Sequence, residues 1–205
     1  MTRGPRAVAA KRYDGRYFRR WYADPGVADP AWLARRAALA IAVAEFVLGR
    51  RVRTVLDVGA GTARWRAALR RTRPAIRYIG VERSAWAVRR HGRRRGLVAG
   101  RFGDLAALDL GDPFDLVVCC DVLHYVGAAE LRAGLPALAA LTGGVAWLET
   151  YVRGDPVAGD LAGWHARPAR FYRRAFADAG LRQLAPHAWV PADRLAEFAA
   201  LELPG

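Results

Sequence analysis

The chain has 205 residues, 53% of them hydrophobic, which suits one domain of α/β size with a real core and excludes global disorder. Its formal charge is +14, from 33 basic and 19 acidic residues, and Lys11 is the only lysine. The arginines are spread over most of the chain, so the charge reads first as compositional bias of the source and only second as a face for nucleic acid or an acidic substrate. Cys119 and Cys120 are neighbours in an apolar run. Neighbours on a strand point to opposite faces, so a mutual disulfide is disfavoured. No spacing suggests zinc, and no metal is expected. The basic N-terminal stretch has no long apolar run after it, unlike a signal peptide. Residues 31–49 are apolar but interrupted by Arg35, Arg36 and Glu45, a poor membrane span. A soluble, cytoplasmic protein with no membrane partner is the expectation.

In chain order, residues 1–12 look loose, and 13–30 mix aromatics with turn residues, as a short helix and an irregular loop punctuated by Pro25 and Pro30 would. Residues 1–30 are set apart as an aromatic and basic lid segment, and 31–205 as the main domain. Asp29, Pro30 and Gly49 predict the cap, first turn and stop of a helix over 31–48. Strands and helices then alternate: strand 52–58, helix 62–72, strand 76–82, helix 84–96 capped by Ser84, a weaker strand 97–104, and an apolar strand 114–123 of the kind buried on both faces. Residues 128–144 read as a helix that Pro136 must kink or restart. A strand at 145–152, a helix at 168–180 and a strand at 181–190 follow, and 193–203 fit strand or helix equally. This alternation predicts a mostly parallel α/β sheet with helices on both faces. Ligands of such sheets bind beyond the carboxyl ends of the strands.

Those strand ends carry the chemistry. In "LDVGAGTA", Asp57 precedes Gly59, Ala60 and Gly61, and the free N–H groups of the next helix can face polar ligand atoms. A dinucleotide fingerprint would need glycine at Arg64, and a phosphate loop a lysine after the second glycine; neither is there. The leading acid suits a cationic ligand, or braces the loop by accepting backbone N–H bonds. Glu82, 25 positions on, can accept from both hydroxyls of a ribose. Asp104 can accept from an exocyclic amine while the Leu105 N–H donates to a ring nitrogen, or it can cap a helix.

On these segments the chain, over about 13–189, resembles the class I S-adenosylmethionine-dependent methyltransferases. "VLDVGAGTA" is similar to the family's glycine-rich motif, "GVERS" to its second-strand acid, "GDL" to its adenine segment and "FDLVVCCDVLHYV" to its fourth strand. "GGVAWLETY" is similar to the fifth strand, and "FYRRAFADAGL" to the helix before a final β-hairpin. Ala63 stands where a third glycine is common. The resemblance implies a doubly wound, mostly parallel seven-stranded sheet of Rossmann-like form and S-adenosyl-L-methionine as cofactor. Asp57, Gly59, Ala60 and Gly61 would surround its amino-acid end, Glu82 its ribose, and Arg83, Asp104 and Leu105 its adenine. The backbone at Cys119 and Cys120 would accept from its ammonium group, and Tyr13 and Tyr17 would close over it.

Methyl transfer is an in-line displacement that chiefly requires alignment, with a base only for a protonated acceptor. Candidate bases are Asp121 and His124 after the fourth strand and His165 after the fifth. Trp164, His165, Arg170 and Tyr172 are candidates to line the acceptor pocket. No proline pair follows the fourth strand, which disfavours exocyclic-amine methylation of bases and cytosine-carbon chemistry. The arginine cluster at 89–95 keeps nucleic acid open as a partner without favouring it. A small-molecule methyl acceptor is expected; RNA or protein as acceptor is the alternative, and a non-catalytic nucleoside-binding accessory protein the alternative of another class.

Overall fold

The computed structural model describes residues 11–24, 28–157, 159–199 and 202. A short helix α1 (Gly15–Tyr22) is capped by Asp14, whose carboxylate accepts from the Arg16 and Tyr17 N–H groups. Helix α2 (Pro30–Leu48) starts and stops as its signals predict. Asp29 accepts from the Ala31 N–H at 2.8 Å, Pro30 occupies the first turn, and Gly49 ends it in the left-handed region at φ 61°. Pro25 lies outside the described residues.

The alternation then runs β1 (Thr54–Val58), α3 (Arg64–Thr72), β2 (Arg77–Glu82), α4 (Ala85–Arg95), β3 (Leu97–Ala99), β4 (Phe114–Cys120), α5 (Ala128–Ala140), β5 (Thr142–Glu149), α6 (Ala169–Asp178), β6 (Leu181–Ala185) and β7 (Ala188–Pro191). These strands form one sheet in the order β3-β2-β1-β4-β5-β7-β6. All pairings are parallel except those of β7, which runs antiparallel to both β5 and β6. The order reverses between β1 and β4, where a crevice opens at the carboxyl ends of the strands. The doubly wound, mostly parallel seven-stranded sheet is the Rossmann-like methyltransferase fold.

Residues on alternate sides of each strand feed two apolar layers. Val55 and Leu116 pack with Ile41, Leu69 and Trp147 on one face, and Leu56 and Val117 pack with Leu131, Leu138 and Phe176 on the other. Both layers are closed to water, so each central strand reads as an unbroken apolar run.

Four segments depart from expectation. The third strand stops after three residues, and Phe102–Ala107 form a 3-10 helix instead of extending to Asp104. Helix α5 runs through Pro136 without restarting. Pro136 and Arg132 are both exposed, so the Arg132 carbonyl that loses its partner faces water. Residues 181–190 are not one strand but most of a hairpin, because Pro186 cannot donate to a ladder and His187 turns the chain at φ 61°. Residues 192–197 form a 3-10 helix, neither strand nor α-helix. Among the described residues no helix is long and apolar enough to cross a membrane.

Candidate functional site

A cavity of about 290 Å³ opens at the carboxyl ends of β1, β2 and β4, roofed by α1 and the start of α2. Asp57, at the end of β1, is 2% exposed and accepts a 2.6 Å hydrogen bond from the Tyr78 hydroxyl of β2. Burial pushes its carboxyl up to about 7, against the opposing pull of the Tyr78 bond. The expectation that Asp57 braces the glycine loop is therefore corrected: its hydrogen bond goes across the sheet. Glu82 takes the bracing role. Its two carboxylate oxygens accept from the Gly61 N–H and the Ser84 N–H, both at 2.7 Å, which ties the ends of β1 and β2 together. Each oxygen keeps one lone pair for a ligand.

The glycines earn their places by geometry. Gly59 has φ 79°, and a Cβ there would stand 2.3 Å from Val122 Cγ2. A Cβ on Gly61, at φ 58°, would stand 2.1 Å from the Tyr22 hydroxyl, so Tyr22 rather than open space covers it. Ala63 is the residue before α3, held left-handed at φ 60°. It is not part of the helix, and it occupies a conformation that glycine adopts more cheaply.

Ten of the expected site residues line this one cavity: Asp57, Gly59, Ala60, Glu82, Arg83, Cys120, Asp121, His124, Tyr13 and Tyr17. Tyr13 and Tyr17 meet edge to face at 4.9 Å, and the Arg83 guanidinium lies 5.3 Å from the Tyr13 ring centre. Asp121 holds a left-handed backbone at φ 59° and stands 3.9 Å from Arg36, which pairs chiefly with Glu149. His124 is 1% exposed, and its Nδ1 accepts from the Tyr151 N–H at 3.4 Å and lies 3.2 Å from the Thr150 hydroxyl. That arrangement leaves the proton on Nε2, and burial lowers its pKa to about 4. His124 is thus a neutral donor, which argues against the general-base role expected of it.

Other expected residues lie elsewhere. Asp104 is exposed on the 3-10 helix, and Leu105 points into the core; from this part of the chain Gly100 and Phe102 line the cavity, together with Glu130. The cause is the early end of β3, which turns residues 103–105 away. Cys119 is fully buried on the far face of β4, and burial raises both thiols, so neither is an activated nucleophile. His165 and Arg170 are exposed, and Trp164 also lies outside the cavity. Tyr172 is 3% exposed and packs beside Phe176 in the core. The segment is set by Arg167, which donates to the Leu123 and Val126 carbonyls and holds it against the outer side of the β4 loop. Sequence reasoning missed Tyr22, Arg36, Glu130, Tyr151 and Asp160. Only Tyr151, two residues past the end of β5, carried a positional signal.

Together the parallel sheet, the reversal between β1 and β4 and the acid-rimmed glycine loop define an α/β protein built to hold a nucleoside-containing ligand. Residues 56–143 match the model of a methyltransferase domain. Among curated proteins no sequence matches significantly. Similar solved structures include DesVI of Streptomyces venezuelae, at 18% identity over 86% of this chain and 97% of that one, with a TM-score of 0.65. The sugar N-methyltransferase KedS8 of a Streptoalloteichus species is 22% identical over 89% of this chain and 91% of that one, with a TM-score of 0.60. The amino pentose methyltransferase CalS10 of Micromonospora echinaspora is 22% identical over 77% and 89%, with a TM-score of 0.58. At these identities the structures speak for the fold. The matched stretch, residues 56–143, runs from within β1 to the start of β5 and so contains the strand ends that rim the cavity.

Proposed function

We propose that this chain is a class I S-adenosylmethionine-dependent methyltransferase and that it acts on a small, polar molecule held beneath the N-terminal aromatic segment. The observation that carries the reading is the enclosed cavity itself. Its floor is the donor-binding strand ends, and its roof is formed by Tyr13, Tyr17, Phe18, Trp21 and Tyr22 from residues 13–22. We read this segment as the lid. KedS8 and CalS10, whose names describe methylation of a sugar and an amino pentose, support an acceptor of that size.

The residues fit S-adenosylmethionine. Asp57, buried with a raised pKa, is stabilised as a carboxylate by a nearby cation. When bound, the cofactor supplies an electrophilic methyl on a sulfonium. On this reading Glu82 holds the ribose through its remaining lone pairs, and the backbone from Gly59 to Gly61 receives the amino-acid end. Cys120 offers its carbonyl to the ammonium group. The adenine rests against Phe102, with Glu130 replacing Asp104 as acceptor for the exocyclic amine. Glu130 is already committed only loosely, to Gly103 N–H at 3.4 Å and Arg101 at 3.3 Å. On the acceptor side His124 donates from Nε2, and Asp121 takes a proton where the acceptor arrives protonated. Free Cys119 and Cys120 accord with a reducing, cytoplasmic setting.

Calorimetry with S-adenosylmethionine and with NAD tests the donor. Binding of the first alone is expected, and binding of NAD alone overturns the reading. Isotopically labelled methyl transfer to a panel of sugars and amino sugars, against total RNA, tests the acceptor class. Label found only in RNA replaces the small-molecule reading.

A further inference from the structure

Lys11, the only lysine among 33 basic residues, does not sit on the surface. Its side chain is 13% exposed, and its ammonium is enclosed by three tyrosine rings and one carboxylate. Nζ lies 3.6 Å from the Tyr125 ring centre, 5.2 Å from that of Tyr13 and 5.4 Å from that of Tyr17. Asp160 Oδ2 is 3.0 Å away. The four groups around the ammonium all line the cavity, whereas Lys11 itself does not. They come from three distant parts of the chain: α1 and its approach, the turn after β4, and the loop after β5.

This is the arrangement that binds an aliphatic ammonium: π faces on several sides and one anion at the rim. A guanidinium is flat and wide and suits stacking or a fork of hydrogen bonds, so the compact cation here is informative in a chain that uses arginine everywhere else. Lys11 is also held incompletely. It carries three donors, yet Nζ is buried and makes no hydrogen bond of good geometry among the described residues beyond the ion pair. The cage does not depend on it. The Ser84 hydroxyl pins the Tyr13 carbonyl at 2.5 Å, Asp14 caps α1, and Phe18 stacks on Trp86 at 5.4 Å. The Tyr125 hydroxyl donates to the Asp160 carbonyl, and the Asp160 carboxylate accepts from the Ala162 N–H at 2.9 Å. All these anchors lie at Tyr13 or beyond it in the chain, so the cage stays assembled without Lys11.

We propose that Tyr13, Tyr17, Tyr125 and Asp160 form the acceptor's ammonium subsite, and that Lys11 is a stand-in that an amine-bearing acceptor displaces. The proposal rests on the small-molecule reading above and narrows it to acceptors that carry an aliphatic amine. It also explains why the cage faces the cavity rather than the surface, where a simple structural ion pair would serve.

The test uses calorimetry on the full chain with cyclohexylammonium chloride and its uncharged counterpart cyclohexanol. Lys11→Ala is expected to bind cyclohexylammonium about tenfold or more tightly than the unsubstituted protein, with no gain for cyclohexanol. Adding Tyr125→Leu or, separately, Asp160→Asn to Lys11→Ala is expected to remove most of that gain, and the second of these keeps the assay decisive where loss of the ring unfolds the site. Equal binding of the two probes by Lys11→Ala, or a gain that survives both second substitutions, overturns the proposal. Binding of S-adenosylhomocysteine is measured separately; its failure counts against the methyltransferase reading, while the probe series alone decides the cage.

Discussion

The half of the cavity proposed to hold the donor and the half proposed to hold the acceptor are built in different ways. The first is a set of strand ends: Asp57 near the end of β1 and Glu82 at the end of β2 lie close because parallel register puts Asp57 opposite Gly80 and Val58 opposite Val81. Its acids are buried, and each is committed to a neighbouring strand or loop. The acceptor half is a set of side chains brought from residues 11–17, from Tyr125, from Tyr151 and from Asp160, with no shared strand to set their register. Sheet geometry therefore makes the donor half rigid, while lid and loop packing make the acceptor half, which leaves it free to vary with substrate.

The largest expected effect breaks the donor half through pH. Asp57 has a folded pKa of about 7 against 3.8 when unfolded, so between those values the folded state holds a proton that the unfolded state has released. Stability of the cofactor-free protein should fall as pH rises through that window, by on the order of 4 kcal/mol from this group. His124, whose pKa falls from 6.5 to about 4 on folding, acts in the opposite sense over much of the same window, and the raised carboxyls of Glu82 and Asp121 act in the same sense, so the Asp57 part is read as the difference between the unsubstituted protein and Asp57→Asn. Asp57→Asn should shift the slope of melting temperature against pH, between pH 4 and 7, towards more positive values; an unchanged slope would mean that Asp57 does not hold its proton in the folded state. A bound cation should pull the proton off, so S-adenosylmethionine binding below pH 7 should release protons, detectable as a buffer-dependent binding enthalpy.

Glu82→Ala comes next. It leaves the buried Gly61 and Ser84 N–H groups without their acceptor, at a cost of about 3 kcal/mol in stability, read by urea unfolding. It should also weaken cofactor binding, and Glu82→Gln, which keeps one acceptor oxygen, should recover part of both. Loss of binding with unchanged stability would mean that Glu82 does not brace the loop.

Ala63→Gly is expected to stabilise the protein by about 1 kcal/mol, because it relieves a left-handed alanine at φ 60°. A destabilised variant would show that unfolded-chain entropy outweighs that strain. The smallest effect belongs to the acceptor side's outer surface. His165→Ala should change turnover less than about twofold, since the ring is exposed outside the cavity and a surface change of this kind is nearly neutral. A large drop in turnover would move the acceptor site outward and redraw the boundary between the two halves.

The donor half was legible because its signals are local. A glycine at φ 79°, an acid at a strand tip and a Ser84 cap each leave a mark within a few residues. The misreadings arose where a local signal had two outcomes. "GDL" looks like an adenine segment, but β3 ends early and carries Asp104 out of the cavity. His165 and Arg170 sit in the right stretch of sequence, yet Arg167 pins that stretch to the outside of the β4 loop. Asp160, only five residues before His165, was passed over, since a lone loop aspartate has no periodicity and no motif.

The sequence by itself determined the alternation of strands and helices, the caps of α2 and α4, and the acids and glycines at the ends of β1 and β2, because each depends on neighbours within a turn or a strand. Only the tertiary structure decided that Glu82 rather than Asp57 braces the glycine loop, that Glu130 rather than Asp104 faces the cavity, and that Lys11 lies in a cage of tyrosines beside Asp160. These are matters of which side chains meet across more than twenty residues of chain, and such meetings are set by the packing of the lid and loops on the sheet.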